Sequence, residues 1–206
     1  SGSGKTTLIK LLLRFYPPEK GKIKIGNTPL EHIYQKVWRD QCGVVMQEGF
    51  IFSDSIANNI AESDDHTDLI RVNDALNTAN IEAFVHEIPL GVNTMIGAKG
   101  NGLSQGQRQR MLIARAIYKN PEFIFFDEAT NALDANNEKI IMENLHRFFR
   151  GRTAVIVAHR LSTVKNADQI IVLDQGAVVE TGTHHSLVAK KGYYYTLVKN
   201  QLELGQ

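Results

Sequence analysis

The stretch Ser1-Gly2-Ser3-Gly4-Lys5-Thr6-Thr7 constrains the fold of this chain more than any other. Gly2 and Gly4 let the backbone curl so that successive N–H groups point inward at one anion. Lys5 brings a point charge suited to β- and γ-phosphate oxygens, and the Thr6 hydroxyl suits Mg²⁺. Thr7, Leu8, Ile9 and the leucines that follow predict an immediate helix, whose positive end adds to the anion site. A phosphate-binding loop reads Gly, four residues, Gly-Lys-Ser/Thr. Only its back half is present, and the opening glycine would stand two positions before Ser1. The competing reading of this stretch alone is a Gly/Ser linker running into a helix.

The 206 residues, 43% hydrophobic and 22% charged, fit one large globular domain with a real core. A formal net charge of +1 gives no electrostatic reason to expect nucleic acid or an anionic membrane as partner. The single cysteine, Cys42, sits in an apolar run and reads as a small buried hydrophobe. No apolar run is long enough to cross a bilayer. These features predict a soluble unit of a reducing compartment, or a piece cut from something larger.

In chain order, a helix over 6–14 ends at Phe15-Tyr16-Pro17-Pro18. A strand over 22–25, a turn at Gly26-Asn27, a helix over 31–40 and an apolar strand over 42–46 follow. Residues 50–104 differ in texture: helical segments at 56–61 and 69–84 predict a helical lobe inserted in a sheet. A helix over 105–119 places Leu112, Ile113, Ala116 and Ile117 on one face. Apolar strands are expected at 123–126, 153–158 and 169–173, and a helix over 136–149. A hairpin into 177–180 and a helical tail over 186–204 end the chain. Unbroken apolar strands alternating with helices predict an α/β fold with a mostly parallel sheet covered on both faces.

In such sheets the ligand sits beyond the carboxyl ends of the strands. Gln47, Asp127, Glu128 and His159 each directly follow an expected strand. Asp127 is placed to hold Mg²⁺ through its water shell, and Glu128 to act as general base on a water. A solvated strand end explains two acids equally well, and His159 alone reads as a loop histidine. Asp134 is also a candidate N-cap. Ser104 and Gly106, at the start of a long helix, form a second anion site. Two such sites far apart in one sequence suggest two chains sharing nucleotides head to tail.

With these motifs in order, the chain resembles the ATP-binding domain of ABC transporters over essentially its whole length. Ser1–Thr7 corresponds to a truncated Walker A loop and Gln47 to the Q-loop. Leu103–Gln107 corresponds to the signature motif, Phe123–Glu128 to Walker B, Asn131–Asp134 to the D-loop and His159 to the switch histidine. The resemblance implies a P-loop NTPase fold: one domain over 1–206, a helical subdomain over 50–104, and antiparallel strands at the edge. It implies ATP bound by Ser1, Gly2, Ser3, Gly4, Lys5, Thr6 and Thr7. Ser104, Gly106, Gln107 and Asp134 would reach the nucleotide across a dimer. Thr6, Gln47 and Asp127 would hold Mg²⁺, and Lys5, Gln47, Glu128 and His159 would act in hydrolysis. The implied partners are a second ATPase domain, identical or paralogous, and a transmembrane domain at the cytoplasmic face of the cell membrane.

Asp127-Glu128-Ala129-Thr130 and His159–Thr163 are similar to exporters. Leu103–Gln107 and Asp134–Glu138 are similar to bacterial peptide or bacteriocin exporters, some of which carry a peptidase domain. Phe50, Ile51 and Phe52 are expected to dock on the membrane domain, or else to pack in the core. Gln105 stands where the signature usually has Gly. Ile96-Gly97-Ala98-Lys99-Gly100 lacks the Glu that exporters usually place there. The strand that feeds the loop would precede Ser1, and without it the piece is expected to be destabilised, to bind ATP poorly and to self-associate. The competing functions are an ATP-operated clamp outside transport and a regulatory ATP-binding module. The first lacks its coiled coil between Gln47 and Ser104, and the second would be favoured by loss of Glu128 or His159.

Overall fold

The computed structural model describes residues 2–62, 66–97, 102–158 and 160–204. Along the chain run α1 (Lys5–Leu12), β1 (Lys24–Ile25), β2 (Thr28–Pro29), α2 (Gln35–Asp40) and β3 (Cys42–Val45). Next come β4 (Asp54–Ser55), α3 (Ile56–Ile60), α4 (Leu69–Thr78), α5 (Glu82–Glu87), β5 (Met95–Ile96) and α6 (Gln105–Tyr118). Then follow β6 (Phe123–Asp127), α7 (Ala135–Phe148), β7 (Thr153–Val157) and α8 (Leu161–Val164). The chain ends with β8 (Ile170–Asp174), β9 (Ala177–Gly182), α9 (His184–Lys190) and α10 (Tyr193–Leu204). It divides into two compact units, one of Gln35–Val155 and one joining Ser1–Tyr34 to Ile156–Gln206.

The Gln35–Val155 unit is built on a sheet of order β3-β6-β7. β3 and β6 run parallel, with Cys42 opposite Phe123 and Val45 opposite Phe126. Alternate residues of a strand face opposite sides. Trp38 of α2 packs its ring 4.8 Å from Phe123 and 6.3 Å from Phe125, while Phe126 meets Phe149 at 5.9 Å. Both faces of β6 are therefore covered, as its unbroken apolar run requires. Cys42 is buried, its Sγ 3.1 Å from the Trp38 carbonyl, and burial pushes the thiol up to about 12.

α6 lies against β3, and α3 and α4 pack on α6. Leu112, Ile113, Ala116 and Ile117 are all buried, as their spacing predicts. The lobe also contains a short antiparallel pair, Asp54 opposite Ile96 and Ser55 opposite Met95. Ser55 caps α3 by accepting from the Asn58 N–H. One guanidinium anchors the segment ahead of it. Arg115 Nε donates to the Asn59 carbonyl at 2.7 Å and lies 3.2 Å from Glu62 Oε2. Its Nη1 donates to the Phe50 carbonyl at 2.9 Å, and its Nη2 to Asn59 Oδ1 at 3.2 Å. Buried Asn59 exchanges hydrogen bonds with both the N–H and the carbonyl of Phe52. Phe50 and Phe52 are thus held outward, 68% and 40% exposed, but Ile51 is 8% exposed and belongs to the core rather than to a docking face.

The other unit contains α1, the β1–β2 hairpin, the β8–β9 hairpin and the two last helices. Gln175 and Gly176 both have positive φ, which suits the two-residue turn joining Asp174 to Ala177. Ile170, Val172, Leu187, Tyr194 and Val198 form its core cluster. His184 opens α9 behind the Thr183 cap, and its Nδ1 is 2.9 Å from the Tyr194 hydroxyl.

Four expectations shift. The helix expected over 69–84 is broken between Thr78 and Glu82, where Asn80 adopts φ 52°. The helix expected over 31–40 begins at Gln35, because Ile33 is extended after a 3₁₀ turn over Leu30–His32. The tail helix is split, because Lys191 adopts φ 53° after α9. The first strand is shorter than 22–25 and pairs as a hairpin with β2.

Gly43 is the close approach of strand and helix layers. A Cβ there would stand 2.6 Å from Pro121 Cγ and 2.9 Å from the Ala116 carbonyl oxygen. Gly43→Ala is expected to destabilise the protein by about 1–3 kcal/mol through overpacking, read as a lower midpoint in denaturant unfolding.

Candidate active site

The phosphate-loop residues belong to the unit that joins Ser1–Tyr34 to Ile156–Gln206. Gly2 and Gly4 have φ of 88° and 89°, in the left-handed region that glycine alone adopts freely. Gly4 is also the N-cap of α1 and offers no side chain to the free amides. The first helical bond is Leu8 N–H to the Gly4 carbonyl, 2.9 Å. The amides of Lys5, Thr6 and Thr7 therefore precede the hydrogen-bonded ladder. No acidic residue occupies the first turn. Lys5 Nζ donates to Ser3 Oγ at 2.8 Å, folding the ammonium back over the loop. The loop's curl, its uncapped helix start and its lysine all favour an anion with several oxygens. Ser1 lies outside the described residues.

A second group of candidate residues, in the Gln35–Val155 unit, stands at the carboxyl end of the β3–β6 pair. Because Val45 is opposite Phe126, Gln47 on one strand and Asp127-Glu128 on the other leave the sheet at the same end. Asp127 is 1% exposed, and neither of its carboxylate oxygens has a hydrogen-bond partner among the described residues. Such a group costs free energy unless something else pairs with it. A hydrated divalent cation supplies what those oxygens lack, so the residue fits Mg²⁺. Gln47 is exposed, with its side-chain amide oxygen available as a hard ligand.

Glu128 adopts φ 55°, a conformation that a glutamate takes only when its surroundings impose it. They do so here. Asn131 Nδ2 donates to Glu128 Oε2 at 2.6 Å, and the Asn131 N–H to the Glu128 carbonyl at 3.2 Å. The Thr130 hydroxyl donates to buried Glu138 at 3.2 Å. The carboxylate is thus aimed by a tight turn. The sequence places Asn131 and Glu138 only within the D-loop and exporter-like stretches; their contacts to Glu128 and Thr130 leave no local signal.

Asp134 is the N-cap of α7. Its Oδ1 accepts from the N–H groups of Asn136 and Asn137, and its Oδ2 from Asn137 Nδ2 at 2.6 Å. The Asn137 side chain, first among these donors, holds the Asp134 carboxyl below its ordinary range. At α6, the Ser104 hydroxyl accepts from the Gln107 N–H, and Gln107 Oε1 accepts from the Ser104 N–H at 2.9 Å. This capping box spends Gln107 on the helix itself. The Ser104 hydroxyl proton remains available as a donor. Gly106 sits where a Cβ would meet the Ala132 carbonyl oxygen at 3.5 Å, so the α6 start lies beside the Asp134 loop. His159 lies outside the described residues.

With this geometry in hand, comparison with known proteins is direct. Residues 1–131 match the protein family described as "ABC transporter", and the chain belongs to that family. It is 48% identical over 204 residues to the leukotoxin translocation ATP-binding protein LktB of Mannheimia haemolytica, covering 99% of this chain and 29% of that protein. The LktB of Bibersteinia trehalosi matches to the same extent, 48% over 204 residues. Among solved structures, a bacterial Atm1-family ABC exporter with ATP bound superposes with a TM-score of 0.94 at 39% identity, over 98% of this chain and 36% of that one. The chain thus spans about a third or less of the length of these relatives. Among the described residues, no helix is long and apolar enough to cross a membrane.

Removing the orphaned carboxylate separates stability from function. Asp127→Ala is expected to raise the thermal midpoint of the nucleotide-free protein in Mg²⁺-free buffer. It should abolish any further rise that Mg²⁺-ATP produces in the unmutated protein, as read by differential scanning fluorimetry.

Proposed function

We propose that the chain is the ATP-binding and ATP-hydrolysing domain of an exporter, working head to tail with a second, identical or paralogous ATPase domain at the cytoplasmic face of the membrane. The observation that carries this reading is the Asp127-Glu128 pair, a buried carboxylate with no hydrogen-bond partner among the described residues, followed by a glutamate held at positive φ.

Lys5 and the amides over 2–7 bind the β- and γ-phosphates. Thr6, Gln47 and Asp127 hold Mg²⁺. Bound there, Mg²⁺ supplies positive charge against the phosphate oxygens. Glu128 takes a proton from the attacking water on its carboxylate, oriented by Asn131. His159 supports the γ-phosphate and that water. Ser104 and Gly106 of the second copy donate to the γ-phosphate at the α6 start, and Asp134 joins the two sites. Closure of the pair excludes water from the nucleotide, and hydrolysis reopens it.

Phe50 and Phe52, clamped outward by Arg115 and Asn59, form the face that docks on a transmembrane domain. The printed name of LktB, a leukotoxin translocation protein, supports a toxin as the class of cargo.

The test is hydrolysis and assembly by the full-length protein carrying Glu128→Gln. Phosphate release is expected to fall by about 10²–10⁴-fold, while ATP binding persists and the ATPase domains stay paired. Unchanged hydrolysis would remove Glu128 as base.

A further inference from the structure

A polar chain outside the phosphate and carboxylate groups joins three segments that sequence order keeps apart. Arg110 lies on the second turn of α6, in helical phase with buried Ile113 and Ile117. Its Nη1 donates to the Asn80 carbonyl at 2.6 Å and reaches Asn137 Oδ1 at 3.5 Å. Asn80 ends the turn after α4 with φ 52°, and its Nδ2 donates to the same Asn137 Oδ1 at 2.9 Å. Asn137 Nδ2 in turn donates to Asp134 Oδ2 at 2.6 Å. Two helical turns further along α7, Asn144 Nδ2 donates to the Thr78 carbonyl at 3.1 Å, a second tie between α7 and the end of α4.

We propose that Arg110 is a positioning residue for the reaction: through Asn80 and Asn137 it locks the Asp134 loop to the α6 start that carries Ser104, so that both reach the second copy's nucleotide as one rigid body. The proposal rests on the ATPase reading above and concerns how its trans-acting groups are held.

Three features support it. Ser104 and Arg110 lie less than two turns apart on one continuous helix, so a fixed guanidinium fixes the cap. Asn137 satisfies both sides at once, its oxygen taking the Arg110 and Asn80 donors and its amide holding Asp134. The α6 start and the Asp134 loop are neighbours, since a Cβ on Gly106 would meet the Ala132 carbonyl oxygen at 3.5 Å. The guanidinium also faces the Asp134 carboxylate, whose charge offsets part of the cost of burying it. An arginine in line with core positions of a helix is the sequence signal for such a residue; its partners, some 30 residues away on either side, leave no local signal.

The test is a double-mutant cycle in the full-length transporter, using Arg110→Met, Asn137→Ala and the pair, with kcat, KM for ATP and the nucleotide-free thermal midpoint measured for each. Each single change is expected to lower kcat roughly tenfold. The pair should be no slower than the worse single. KM should stay within about twofold, because ATP is first held by the chain's own Lys5 loop. Multiplicative losses in the pair, a kcat unchanged by either variant, or losses that follow the thermal midpoint would overturn the proposal. If Arg110→Met does not fold, Asn80→Ala takes its place in the cycle with the same criteria. Glu128→Gln in the same preparation separates the two layers: if it hydrolyses normally, the ATPase reading fails whatever the cycle returns.

Discussion

Parallel pairing of β3 with β6 is the constraint on which the placement of Gln47, Asp127 and Glu128 depends. The ladder leaves no freedom in register, because a slip of one residue would turn Phe125 away from Trp38 and Phe126 away from Phe149. With the register fixed, Gln47 and the Asp127-Glu128 pair must emerge together. The covering layers then matter mainly as packing. Gly43 lets α6 approach β3, and Trp38 fills the other side. The site is a consequence of how apolar strands are sandwiched, and not every polar residue in it stabilises the fold.

Asp127 makes that point sharply. A carboxylate that is buried without a partner is the kind of group folding selects against. The strained backbone of Glu128 is a second concession in adjacent positions. The surrounding turn, pinned by Asn131, Thr130 and Glu138, supplies the interactions that hold both in place.

α6 connects what would otherwise be separate devices. Its first residue is capped by Ser104, its second turn reaches the Asp134 loop through Arg110 and Asn137, and its last turns clamp Phe50 and Phe52 through Arg115. A rod about 20 Å long thus joins the Ser104 cap to the segment that carries Phe50 and Phe52. The lobe helices α3 and α4 pack on this rod, which makes the lobe and the rod one mechanical piece.

Much of this was legible in the residues themselves. The curl of Gly2 and Gly4, the continuous apolar strands, the buried face of α6 and the N-cap role of Asp134 follow from local chemistry, because spacing and backbone preference act within a few residues. The burial of Ile51 between exposed Phe50 and Phe52 was not legible, since three adjacent apolar residues carry no sign of which faces solvent. Nor were the break at Lys191 or the extended Ile33, where packing overrides propensity. The Arg110, Asn80 and Asn137 chain and the Arg115 clamp belong wholly to the tertiary structure. Their hydrogen bonds join segments far apart in sequence, and a single side chain's composition does not say which distant carbonyl it will meet. The sequence determined which chemistry this domain can host; the fold decided which groups stand close enough to perform it, because only the parallel register and the helix layers bring distant residues within hydrogen-bonding range.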